Sequence, residues 1–403
     1  RRSGRTVAPF ERPSRLLTSP PEFELLLACC RWPPSTGRDE AVREAAARVG
    51  DWSAFRKMVA RHRVEGLAHN ALAAAKISAP ADLLAWLAGA SSQTARENLV
   101  FAAESMRLAK AFEQAGIPFL FVKGVTLSVL AYRSLAFKRA CDIDLAVDPD
   151  LYVEAAELLR RTGLQCLSPG PSASADEMLA WTARNKHTVW VGRGVAVELH
   201  SALVDTPLLL SKVSVHSPRQ AVEIGPGMAL PTLAPDELFA YLCVHGATHA
   251  WSRIKWLADV AALLAHESPE TIERLYRRSL ELGAGRTSGQ ALLLSAQLLG
   301  LALPEGLERE LSSNRAVAYL ARVALRSMLR GGGVVELDDM ALGTADIHLS
   351  HFRLMPGFRF KWSEARRKLA GPADDEPLPR FLQPILAAPR WLLRRARRSR
   401  GAA

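Results

Sequence analysis

Two aspartates stand two residues apart in the run Arg139-Ala-Cys-Asp-Ile-Asp-Leu-Ala-Val147. Residues 143–147 alternate apolar and small or polar residues as a strand does, so Asp142 and Asp144 project to one face. Two carboxylates sharing a face repel each other unless a cation lies between them. A divalent ion is the usual answer, and Mg²⁺ (or Mn²⁺) suits carboxylates combined with substrate phosphates. Earlier, Phe119-Leu-Phe-Val122 is a short apolar run after Pro118, and Lys123-Gly124 closes it. A cation and free backbone N–H groups at such a strand-to-helix junction suit phosphate. Arg139, three residues before the first aspartate, falls in the same region. Glu198, in Val195-Ala-Val-Glu-Leu199, offers a third carboxylate to complete a two-metal site. Asp-x-Asp alone is common on solvated strand ends; its weight here comes from these companions.

Other chemistry-bearing residues carry less. His245 and His249 are four apart, on one face of a helix. Position 246 is Gly, so the glutamate of a His-Glu-x-x-His zinc motif is missing. The two histidines are read as packing groups or as the acceptor side of the cleft. His200 shares the strand face of Glu198 and is placed on that acceptor side too; His187 carries a weaker signal. Cys141 has no base partner and is not read as a nucleophile. Tyr132, Trp251 and Trp256 read as packing, and Asp259 as an ion-pair partner of Arg253 or Lys255.

The elements that must position these residues follow from periodicity and punctuation. Residues 1–115 read as helices: one from Pro21 ended by Pro33-Pro34, one capped by Asp51 through Arg61, and a long Ala-rich one from Pro80 closed by Gly116. Residues 116–232 change texture. Strands are expected at 119–122, 143–147 and 164–167, with helices at 125–132 and from Asp148-Pro149 to about Gly163. A hairpin joins 187–191 to 195–199 across Gly192-Arg193-Gly194. Further short strands are expected at 213–224 and 228–230. Residues 233–345 are helical, with Asp236 capping a helix through His249 and another at 253–266. Gly331-Gly332-Gly333 breaks the pattern, and residues 346–403 form a basic, irregular tail. There is no internal repeat.

This order of elements resembles a bacterial family of uncharacterised nucleotidyltransferases within the DNA polymerase β-like superfamily. The resemblance rests on Lys123-Gly124, Tyr132, Arg139, Asp142-Ile-Asp144-Leu and the strand holding Glu198. It extends to Leu25-Leu-Leu-Ala-Cys-Cys30, to Leu242-Cys-Val-His-Gly-Ala-Thr-His-Ala-Trp251 and to Lys255-Trp-Leu-Ala-Asp-Val260, roughly residues 20–300. It implies an α+β fold: a small twisted mixed β-sheet nucleotidyltransferase core, helices on one side, and extensive helical flanks. It also implies that Asp142, Asp144 and Glu198 hold two Mg²⁺ and carry catalysis. An NTP would lie with its triphosphate over Gly124, near Lys123, Thr126 and Arg139. An acceptor hydroxyl would attack the α-phosphate and release pyrophosphate. The wider superfamily's Gly-Ser pair reads Gly124-Val125 here, with Thr126 next.

Composition bounds the alternatives. The 403 residues are 49% hydrophobic and 23% charged, with mean hydropathy +0.02, which excludes a disordered or multi-span membrane chain. The most apolar long window, 291–303, is broken by Ser295 and Gln297 and is too short to cross a bilayer. Residues 1–15 are basic with no apolar segment directly after them, so no secretory signal is expected. Five cysteines without zinc or disulfide spacing point to a reducing cytoplasm. The net charge of +11 is carried by the ends: residues 351–403 hold 13 Lys/Arg against 4 Asp/Glu, and residues 1–15 hold 5 Arg against 1 Glu. The near-neutral remainder argues against a nucleic-acid reader. The segment Trp391-Leu-Leu-Arg-Arg-Ala-Arg-Arg-Ser-Arg400 reads as a solvated end or as an interfacial segment on anionic lipid. The expected function is NMP transfer from an NTP to a hydroxyl of a small molecule, peptide or protein. The rival readings are an inactive nucleotide- or partner-binding protein and a toxin-like tRNA nucleotidyltransferase.

Overall fold

Leu145, Val147, Val197 and Leu199 share one face of neighbouring strands and need an apolar cover, whereas Asp144 and Glu198 on the opposite face need cations or solvent. The computed structural model, which describes residues 19–330 and 345–370, meets both demands. Five helices come first: α1 (Pro21–Cys29), α2 (Thr36–Ala46), α3 (Trp52–His62), α4 (Glu65–Ala74) and α5 (Ala81–Ala115). Asp51 accepts hydrogen bonds from the amides of Ser53 and Ala54 and so caps α3. Gly116, left-handed at φ 68°, ends α5.

The α/β part follows as β1 (Phe119–Phe121), α6 (Val125–Tyr132), β2 (Ile143–Val147), α7 (Tyr152–Arg161), β3 (Gln165–Ser168), α8 (Ala175–Thr182), β4 (His187–Gly192) and β5 (Val195–His200). The five strands form one mixed sheet in the order β1-β2-β5-β4-β3, with β2 and β5 parallel and the other pairs antiparallel. Its apolar face packs Leu145, Val197, Leu199 and Trp190 against Phe112 of α5 and Tyr152 and Leu159 of α7. The Tyr152 hydroxyl donates to the Leu199 carbonyl at 2.9 Å and lies 2.7 Å from the Thr188 hydroxyl, tying α7 to the β4–β5 pair. A second sheet, β6 (Arg219–Gly225) with β7 (Met228–Leu233), is an antiparallel hairpin.

The remaining helices are α9 (Pro235–Thr248), α10 (Ile254–Leu264), α11 (Pro269–Glu281), α12 (Thr287–Leu294), α13 (Glu305–Ser313), α14 (Arg315–Leu329), α15 (Ala345–His351) and α16 (Phe358–Ala370). The fold is thus α+β with helical flanks, as expected. Three details differ. Asp236 does not cap α9, because Pro235 fills its first turn and Ala234 precedes it. Helix α8 was not expected, although Ser174 and Glu177 form a capping box at its start. The expected strand at 213–224 begins only at Arg219. The glycine run 331–333 and the tail motif 391–400 lie outside the described residues. No helix among the described residues is long and apolar enough to cross a membrane.

Candidate active site

Asp144 and Glu198 face each other directly in the parallel β2–β5 pair. Register alone therefore brings their carboxylates to one face, and Asp142 precedes β2 on that same face. Asp142 is reached through the loop after α6, and α5 fixes that loop. Buried Asn98 donates to the carbonyls of Leu135 (2.6 Å) and Lys138 (2.7 Å) and accepts from the Ala140 amide (3.0 Å). Opposite Asp142 lies the turn after β1. Gly124 there has φ 68° and ψ −128°, a conformation that L side chains rarely adopt, and it starts α6. A Cβ at Gly124 would lie 3.6 Å from the Asp142 carbonyl oxygen, so helix start and acidic cluster touch.

Lys123 Nζ lies 2.8 Å from Asp144 Oδ1. His200 Nε2 lies 3.2 Å from that same oxygen and 3.2 Å from Glu198 Oε2. Burial acts to raise the Asp144 pKa, but Lys123 and His200 overcome it and hold the carboxyl well below the usual range. Burial likewise opposes ionisation of Glu198, and the His200 hydrogen bond wins, taking it down to about 2. Asp142 lacks such a partner: burial, then the Asp144 charge, push it up to about 6. Burial disfavours the charged forms of His200 and Lys123, yet the acids around them raise both. Asp144 Oδ2 is buried with no hydrogen-bond partner among the described residues. A buried carboxylate oxygen in that position fits a cation-binding site.

Lys123, Gly124, Asp142, Asp144 and Glu198 line one cleft of about 320 Å³, together with residues of α9 and α10. His245, His249 and Trp256 form a ring cluster on its far wall, with centroids 4.8–5.7 Å apart. Burial, then Lys123, holds the His245 pKa well below its ordinary value; burial, then Lys186, takes His249 down to about 3. Both surroundings favour the neutral imidazole. Arg139 also lines the cleft, but its guanidinium bonds Glu97 at 2.9 Å.

Two expected site residues are placed elsewhere. Thr126 is buried, and its hydroxyl donates to the Lys123 carbonyl at 3.0 Å; it stiffens the turn and does not line the cleft. His200, expected on the acceptor side, is instead buried beneath the carboxylates. Asp259 lies 3.3 Å from the Lys138 ammonium and accepts a hydrogen bond from the Tyr132 hydroxyl at 3.0 Å. Conversely, Lys138 and Lys186 line the cleft without any sequence motif to announce them, and Lys255, read only as part of a helical motif, lines it too. His187 Nε2 lies 3.8 Å from Glu198 Oε1, and His187, Glu198 and His200 offer ligand atoms all within 4.8 Å of one another.

A sequence model of the family described as an uncharacterised nucleotidyltransferase matches residues 49–300. No curated protein matches the chain.

Proposed function

The chain belongs to this nucleotidyltransferase family, and we propose that it transfers NMP from an NTP to a hydroxyl acceptor at the Asp142–Asp144–Glu198 cleft. The observation that carries this reading is the direct pairing of Asp144 with Glu198, beside Asp142 and facing the Lys123-Gly124 turn. We assign the core to the polymerase β-like superfamily on the same arrangement. The three acids would hold the divalent metal, and Asp144 Oδ2 has no hydrogen-bond partner among the described residues. When bound, the metal supplies neutralisation of triphosphate charge and acidifies the acceptor hydroxyl. The chain's own part is positioning. Backbone N–H groups at the start of α6 and the Lys123 ammonium would hold phosphate oxygens. Glu198, a carboxylate held in its charged form by His200, would stand beside the acceptor hydroxyl and help take its proton once that hydroxyl is acidified. His245, His249 and Trp256 give the far wall an aromatic surface for the base or the acceptor.

One observation favours a second reading of the acceptor. Lysines and arginines from several elements line the cleft, among them Lys138, Lys186 and Lys255. That charge suits a triphosphate, and it suits an RNA end equally. We also propose that the basic C-terminal stretch rests on anionic lipid.

The test is to incubate the protein with each α-³²P-labelled NTP, Mg²⁺ or Mn²⁺, and separate pools of small molecules, proteins and tRNA from a cell extract. Label should enter one pool only, and Asp144→Asn should lower transfer by several orders of magnitude with folding retained. Transfer at the wild-type rate by Asp144→Asn would sink the mechanism.

A further inference from the structure

Resting on that reading of the cleft, we propose that its metal centre is a mixed nitrogen–oxygen site. His187 and His200 would join Glu198 and Asp144 as ligands, so the protein selects a transition ion such as Mn²⁺ or Co²⁺ over Mg²⁺. The strands dictate the grouping. His200 follows Glu198 by two residues on β5 and so shares its face. His187 is paired with His200 across the antiparallel β4–β5 ladder. Asp144 is paired with Glu198 across β2–β5. Four ligand-type side chains from three strands thus meet on one face, with the two imidazole centroids 5.0 Å apart.

The His200 distances are those of a coordination shell, and the His187 distance is wider by a few tenths of an ångström. His200 Nε2 stands 3.2 Å from an oxygen of each carboxylate. His187 Nε2 stands 3.8 Å from the other Glu198 oxygen. With metal–ligand bonds of about 2.1 Å, adjacent ligands lie roughly 3.0–3.5 Å apart. One Nε2–H is shared between two carboxylates, each at 3.2 Å, the long end of the hydrogen-bond range. As a neutral ligand the same nitrogen would point its lone pair at a cation between them. Mg²⁺ takes oxygen ligands and keeps its waters, whereas imidazole suits transition ions.

The probes are Mn²⁺, Co²⁺ and Mg²⁺, each added alone to the metal-stripped full-length protein. Calorimetry should show Mn²⁺ binding at least about tenfold more tightly than Mg²⁺. Pulsed electron paramagnetic resonance of the Mn²⁺ form should show ¹⁴N couplings from coordinated imidazole. His187→Gln, at the half-exposed histidine, and His200→Gln should each diminish both the preference and the couplings. Asp144→Asn should weaken binding of every ion. Binding that Asp144→Asn weakens but the histidine variants leave untouched, with no ¹⁴N coupling, overturns the histidine assignment alone. If no divalent ion binds, with or without NTP, the carboxylate reading falls as well.

Discussion

Lys255 is a cation on the cleft wall whose charge is costly. Its ammonium lies 5.6 Å from the Trp256 ring centroid. Burial, then the Lys138 charge, takes its pKa down to about 8. A folded-state pKa below the ordinary lysine value means that the fold penalises the ammonium; the NTP-free protein gains stability from this group as pH rises through 8. A triphosphate beside Lys255 acts in the opposite sense and favours the charged form. NTP affinity should therefore be greatest below pH 8 and fall between pH 7 and 9. Lys255→Met should weaken binding at pH 7 by roughly tenfold to a hundredfold and flatten that profile, whereas Lys255→Arg should extend tight binding to pH 9. A wild-type affinity that stays level from pH 7 to 9, followed by calorimetry, would remove Lys255 from the phosphate path. The sequence announces Lys123-Gly124 and Asp142-x-Asp144 because a turn and a two-residue period are local signals. It is silent on Lys138 and Lys186, and it marks Lys255 only as part of a helical motif; packing brings all three to the cleft. His200 was placed on its correct strand face, but parity does not give depth. Ala146 lies opposite it on β2, leaving no bulk to lift the imidazole clear of the acids.

At the level of elements, α9 explains why Gly stands between His245 and His249. A Cβ at position 246 would overlap the six-membered ring of Trp251, which is fully buried. The chain reverses tightly after α9, with Ala250 and Trp251 both at positive φ, and lays the indole against the helix that bears the two histidines. Alanine in place of a helical glycine ordinarily adds about 1 kcal/mol of stability. Overlap with a rigid, enclosed ring costs about 1–3 kcal/mol. The second effect should win, so Gly246→Ala should lower the Tm by a few degrees and disturb the His245–His249–Trp256 cluster. A raised Tm in a thermal melt would mean that Trp251 moves aside freely. The same element shows which features of the fold were readable. The limits of α6 and β2 follow from turn residues and alternation, and α5 from Pro80 and Gly116. The start of α9 was misplaced because Asp236 resembles a cap, while Pro235 had already fixed the first turn. The β6–β7 pairing is local, across Pro226-Gly227, but that this hairpin stays apart from the five-stranded sheet depends on packing, which alternation within a strand does not encode.

Over the whole molecule, charge and catalytic geometry are separated along the chain. The three acids proposed for catalysis, Asp142, Asp144 and Glu198, lie before residue 200, whereas residues 351–403 carry 13 Lys/Arg against 4 Asp/Glu. The last described helix already presents this chemistry to solvent. Phe358 and Trp362 are 77% and 56% exposed on α16 and stack on each other, with Arg359, Lys361 and Arg366 exposed among them. Exposed aromatics beside cationic side chains suit the headgroup region of an anionic bilayer. Beyond the described residues, Trp391-Leu-Leu is followed by Arg394, Arg395, Arg397, Arg398 and Arg400. At about 1 kcal/mol per basic residue near anionic lipid, these five arginines could support reversible attachment. Such attachment must weaken with salt, since the Debye length shrinks from about 30 Å at 0.01 M to about 10 Å at 0.1 M. Deleting residues 389–403 should therefore greatly reduce co-sedimentation with phosphatidylserine-rich vesicles at low salt, leave neutral vesicles ignored as before, and keep NTP affinity intact. Phe358→Ser with Trp362→Ser should weaken what attachment remains. A full-length protein that ignores anionic vesicles at low salt would refute the lipid reading, and a deletion that abolishes NTP binding would place the tail over the cleft.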